Sequence, residues 1–129
     1  MKKKFSTSWK GSKQPRKQRK YRYNAPIHLR GRFLNAPLSE ELVKKHTVKR
    51  IRIRVGDKVK IMRGKFKGKE GKIELVNIKK STVYVIGTES TKKDGSKGRL
   101  PIHASKVMII DMNVDDKTRL PSKAPVKKD

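Results

Sequence analysis

The chain has 129 residues, of which 37 are Lys or Arg and 11 are Asp or Glu, and its formal net charge of +26 makes a charge-neutralising partner the first expectation. The absence of cysteine excludes a disulfide framework and any thiolate zinc site, and His28, His46 and His103 are too scattered to suggest a metal cluster. Only 33% of the residues are hydrophobic, concentrated between Ile51 and Met112, so one small core is the most the chain can build.

The basic start has no apolar run behind it, which argues against a secretory signal. No stretch approaches the roughly 18 apolar residues of a membrane span, so a soluble intracellular protein is expected. From Met1 to Ser39 there is no acidic residue. Within this arm Ser12 is placed to cap a helix with Pro15 in its first turn, and Lys13, Arg16, Lys17 and Lys20 then form one basic ridge at i, i+3, i+4 and i+7. Like charges at that spacing destabilise an isolated helix, so ordering against phosphates is expected; a disordered solubilising tail is the alternative. Phe5, Trp9, Tyr21 and Tyr23 lie among the cations, where planar rings can stack on bases or sugars. Packing of Trp9 on the body of the protein carries nearly equal weight.

Asn24 to Pro37 is punctuated by proline and holds a short helix around Ile27 to Leu34. A third helix starts at Ser39: Glu40 and Glu41 suit its first turn, Leu38 can staple onto Val43, and Lys44, Lys45 and His46 suit its last. From Ile51 the period becomes two, with Val55, Val59 and Ile61 inward, Lys58 and Lys60 outward, and Gly56 and Asp57 turning the chain. Val76 and Ile78 are out of phase with Ile73, so a bulge near Leu75 and Val76 is implied. Thr82 to Ile86 is a β-branched and aromatic strand. Asp94 and Gly95 turn a protruding basic hairpin, Pro101 to Ser105 makes another turn, and Val107 to Ile110 closes the sheet. Five short strands in about 60 residues fit a mainly β, small SH3-like barrel, because no long helix is available for parallel crossovers. The expected organisation is a basic, partly helical extension (1–50), the barrel (51–112) and a loose C-terminal tail (113–129).

Between the first two barrel strands, Gly64, Gly68 and Gly71 bracket Lys65, Phe66, Lys67 and Lys69. The glycines read mostly as turn formers, the lysines as phosphate contacts, and Phe66 either as a stacking tip or as a cover for the barrel's end. GxxxGK here is one residue short of a P-loop, lacks the following Ser or Thr and leads into a strand, so it is not a nucleotide site. No nucleophile and base are assembled, so neither an enzyme, a cofactor nor a small-molecule substrate is expected.

The pattern Gly56-Asp57-x-Val59-x-Ile61-x-x-Gly64-x-x-Lys67-Gly68-x-x-Gly71-x-Ile73 resembles the KOW motif of ribosomal proteins and transcription elongation factors. With the flanks PRKQRKYRYNAPIHLRGRFLNAPLSEEL and RLPIHASKVMI, residues Lys13 to Ile110 resemble the universal large-subunit ribosomal protein twenty-four family, archaeal and eukaryotic branch. That resemblance implies a cytoplasmic ribosomal protein with a KOW barrel, monomeric within the large subunit among neighbouring ribosomal proteins. It also implies binding to the 5′ domain of large-subunit ribosomal RNA, an early role in assembly and a place near the polypeptide exit tunnel. The motif falls on Gly56, Asp57, Gly64, Lys67, Gly68 and Gly71, and the basic arm on Pro15 to Arg22. The candidate RNA-binding residues are then Lys13, Arg16, Lys17, Arg19, Lys20, Tyr21, Arg22, Arg30 and Arg32 in the arm, with Arg63, Lys65, Phe66, Lys67 and Lys69 in the central turn. Lys92, Lys93, Lys97 and Arg99 in the hairpin complete the set. A KOW-type elongation factor and a general nucleic-acid-compacting protein remain as alternatives; the former would bring a further α/β domain, for which about 50 polar residues leave no room.

Overall fold

The computed structural model describes residues 4–9 and 11–120. Helix α1 (Pro15–Asn24) is followed by a one-turn helix α2 (Ile27–Arg30) that tightens into a 3-10 turn at Gly31–Leu34. Strand β1 (Asn35–Pro37), helix α3 (Glu40–His46) and strand β2 (Arg50–Arg52) lead into β3 (Lys58–Ile61), β4 (Glu70–Asn77) and β5 (Thr82–Val85). A ribbon of β6 (Glu89–Thr91) and β7 (Lys97–Arg99) precedes β8 (Ile102–His103) and β9 (Val107–Asp111). The main sheet is antiparallel with the order β8-β5-β4-β3-β9, while β1 pairs with β2 and β6 with β7. A 3-10 turn at Ala104–Lys106 spans the gap between the sheet's two edges, which do not hydrogen-bond to each other. The result is a small, mainly β fold with a helical N-terminal part.

Alternation builds the core. In β3 Val59 and Ile61 are buried while Lys58 and Lys60 point to solvent, and Ile73, Val83, Val85, Val107 and Ile109 fill the same interior. The expected phase change in β4 is present as a register shift between Ile73 and Leu75, which leaves Leu75 outside and turns Val76 toward the core. Such a bulge bends the strand enough for a short sheet to wrap its own apolar face.

Four features differ from expectation. Val55 is exposed rather than inward, because it lies in the turn that Gly56 makes at φ 91° before β3 begins. Gly71 is not a turn residue but a strand residue opposite Val59; a Cβ there would meet the carbonyl oxygen of Ile86 at 2.7 Å. Leu34, Ala36 and Leu38 belong to the main core although they precede residue 51, held by the β1 and β2 pair and by the Ser39 N–H, which donates to Ile109 O at 2.9 Å. Finally, the expected loose tail does not begin at Asn113. Residues 113–120 are fastened to the body by Arg119, whose side chain is buried against Asp57. The remainder of that expected tail, 121–129, lies outside the described residues.

Candidate nucleic-acid interface

Asp57, in the turn before β3, is fully buried. Arg119 donates from Nη1 to Asp57 Oδ1 at 2.7 Å and from Nη2 to Oδ2, a bidentate pair. The carboxylate also accepts the backbone N–H groups of Arg54 at 2.9 Å and Asn113 at 3.3 Å, and Arg119 reaches the carbonyls of Asn113 and Arg52. Nearby, Asp116 accepts from Thr118 and pairs with Arg54 at 2.8 Å; the Thr118 hydroxyl, then Arg54, hold its carboxyl down at about 2. The end of β2, the turn before β3 and the C-terminal segment are thus joined through one acidic residue and its arginine partner.

The basic turn is built on that frame. Ile61 N–H donates to Lys69 O and Gly68 N–H to Ile61 O, closing the loop, with Gly64 at φ 99° and Gly68 at φ 87° where a side chain would be strained. Arg63, Lys65, Lys67 and Lys69 are all exposed. Phe66 is half-buried and packs against the core. Its ring carries Lys69 Nζ at 5.0 Å and Lys65 Nζ at 5.8 Å from the centroid, which fixes two cations at the rim. Lys106 and the chain leaving the β6 and β7 ribbon line the same small cleft as Arg63, Lys65 and Phe66.

In that ribbon Lys92, Lys93, Lys97 and Arg99 are exposed around the Gly95 turn, where Asp94 accepts from the Ser96 hydroxyl and N–H, which lowers its pKa. Two of the four cations have carboxylate neighbours: Arg99 pairs with Glu74 at 2.7 Å, and Lys97 lies 4.0 Å from Glu89. Lys92 and Lys93 are in no ion pair among the described residues.

The arm differs from expectation in detail. Ser12 does not cap α1; Gln14 holds the N-cap position, and Ser12 Oγ accepts the Gln14 N–H at 3.1 Å. Lys13 is therefore outside the helix and not part of its ridge. Arg16, Lys17, Arg19 and Lys20 are exposed on α1, and Arg32 on the following 3-10 turn. Tyr21 is half-buried with Phe5 and Trp9 against it, so Trp9 packs on the arm. Tyr21 also meets Phe33 edge-on at 6.4 Å, and Arg22 lies over Phe33 at 5.4 Å and 3.4 Å from His103 Nε2. Burial, then Arg22 and Lys106, lowers the His103 pKa. Arg30 turns back to donate to Ala25 O at 2.8 Å and to Tyr23 O, closing the end of α1.

Seating the arm this way leaves a groove of about 690 Å³ lined by Arg22, Tyr23, Arg30, Phe33, Lys79, Lys80 and Ser81. Sequence reasoning missed Lys79 and Lys80. They occupy the turn between β4 and β5, and their only sequence signal is a basic pair between two strands. Four cations converge with no carboxylate in the lining. Among the described residues no group of three His, Asp or Glu could hold a metal ion, and no helix is long and apolar enough to cross a membrane.

Fold and surface together define a class: a small β-sheet body whose acidic groups are paired or dispersed and whose cations face outward in clusters. The family model for ribosomal protein L26 of eukaryotes and its archaeal L24 counterpart matches residues 12–122. Large ribosomal subunit protein uL24 of Methanosarcina barkeri (strain Fusaro / DSM 804) is 48% identical over 111 residues, covering 86% of this chain and 96% of its own. The chain belongs to this family of eukaryotic L26 and archaeal L24 ribosomal proteins, a family of structural rather than enzymatic role.

Proposed function

We propose that this protein is a structural component of the large ribosomal subunit in the cytoplasm. It binds the 5′ domain of the large-subunit ribosomal RNA early in assembly and lies near the polypeptide exit tunnel, as a single copy among neighbouring ribosomal proteins. The observation that carries RNA binding is the groove between arm and body. Arg22 is held over Phe33 and Arg30 by two backbone carbonyls, so both guanidinium groups are positioned before any ligand arrives, facing Lys79 and Lys80. Pre-positioned cations lose little freedom when they meet phosphate, and Arg presents a planar fork suited to it. The 5′ domain, the timing and the tunnel location rest on family resemblance.

Recognition on this reading is by shape. A-form RNA hides its base edges in a deep, narrow groove, so cations at fixed separations on the groove, the basic turn and the ribbon select a folded junction through its phosphates. The test is binding of the 5′-domain RNA fragment across a salt series. With six to ten phosphates engaged, affinity falls roughly 10³ to 10⁵-fold between 50 and 200 mM salt. Replacing Lys79 and Lys80 with Gln lowers the slope, as does replacing Lys65, Lys67 and Lys69 with Ala. An affinity nearly independent of salt, or equal affinity for arbitrary duplex DNA at matched salt, rejects the reading.

A further inference from the structure

The described residues before α1, 4–9 and 11–14, fold back along that helix. Gln18 Nε2 donates to Ser12 O at 2.6 Å, and the rings of Phe5 and Trp9 each lie 4.9 Å from Tyr21, tilted by 34° and 30°. The three rings wall a cleft of about 240 Å³ whose rim carries Lys4, Lys17 and Lys20. No carboxylate lines it, and none of the three lysines is in an ion pair among the described residues. Phe5, Trp9 and Tyr21 are half-buried, and each keeps part of its surface in the lining of the cleft.

This is a site with a flat apolar interior and a cationic margin. A bare anion would find charge at the rim but nothing to fill the interior, and a cationic side chain would be repelled. A nucleotide combines a planar ring with a phosphate a fixed distance away. The volume is below the roughly 300–1,000 Å³ of a drug-sized pocket and suits one ring system. A base inside a duplex has both faces covered by its neighbours, whereas an unpaired base can leave the stack and lie on aromatic side chains. We infer that the cleft walled by Phe5, Trp9 and Tyr21 receives one unpaired base of the bound RNA, with Lys4, Lys17 and Lys20 holding the flanking phosphates. This rests on the RNA-binding reading above and adds a position at which the RNA must be unpaired.

Trp9 is the only tryptophan of the chain and therefore reports on the cleft directly. The full-length protein is titrated at low salt with two RNA hairpins of identical stem, one carrying a single unpaired purine, and both emission and affinity are read. The bulged hairpin quenches Trp9 and binds roughly 10-fold more tightly than the paired one. Trp9→Ala abolishes that preference and Trp9→Phe keeps most of it, while both variants bind the paired hairpin with the wild-type salt slope. Retention of the preference in Trp9→Ala, or the same emission with both hairpins, overturns the inference; salt-dependent binding of the paired hairpin then leaves the RNA-binding reading intact. If neither hairpin binds in a salt-dependent manner, both fall.

Discussion

The two ends of the described chain join the body by opposite chemistry. Arg119, near the C-terminal end, is buried and meets a buried carboxylate through two hydrogen bonds. The arm buries no side chain of α1 and is seated by rings and by cations placed over them. The difference follows from the dielectric. A charge taken out of water must be paired and hydrogen-bonded, or it destabilises the fold by several kcal/mol, whereas an exposed charge is tolerated without a partner and stays available to an external one. Charge holds the fold together at Asp57 and Arg119 and faces outward in the arm.

The largest expected effect lies at the buried pair. Arg119→Met leaves Asp57 as an uncompensated buried carboxylate and should destabilise the protein by about 3–5 kcal/mol, read from urea unfolding. Adding Asp57→Asn removes the stranded charge, so the double variant should recover part of the loss and the cycle should show strong coupling. A loss below about 1 kcal/mol for Arg119→Met would be the size of an exposed ion pair and would erase the contrast with the arm.

That pair also marks where the sequence was silent. Alternation from Lys58 to Ile61 announced β3 and its inward face, and the mismatch of Val76 and Ile78 with Ile73 announced the bulge. Both signals are local. Asp57 sits beside Gly56 in a segment that reads as a turn, and its partner lies 62 residues away, a relation no spacing rule reaches. The same limit hid the place of Leu34, Ala36 and Leu38 in the core. The Asn35 to Pro37 stretch has no strand pattern and becomes β1 because Arg50–Arg52 pairs with it. At the interface, clusters contiguous in sequence were legible. The groove was not, because Lys79 and Lys80 join Arg22 and Arg30 only after the arm docks.

Exposed charge predicts a different outcome in the arm. Changing Arg16, Lys17 and Lys20 together to Gln should shift stability by no more than about 0.5 kcal/mol per site, since each is an exposed surface position and the like-charge spacings Arg16–Lys20 and Lys17–Lys20 are relieved. The same variant should weaken binding to the 5′-domain RNA fragment and reduce the salt slope by roughly two, at about 0.7–0.9 for each phosphate no longer engaged. Unfolding at a denaturant concentration as low as that of Arg119→Met would mean that the arm's cations, like Arg119, hold the fold.

The smallest effect sits at the joint between the two regimes. His103 faces Arg22 from α1, Lys106 from the 3-10 turn and Ser105, whose hydroxyl lies 2.9 Å from Nδ1. Burial first, then the two cations, place its folded pKa below 6.5. The unfolded chain therefore binds the proton more readily, so this group's contribution to stability is complete above 6.5 and is lost as the pH falls through that value and below it. Acid adds a charge beside Arg22 at the point where the arm is seated. Arg22→Gln removes one of the two repelling cations, so the His103 ring resonances should titrate at higher pH in this variant than in the wild type, and the acid-side loss of stability should shrink. Identical titrations would mean that Arg22 does not face the His103 ring in solution.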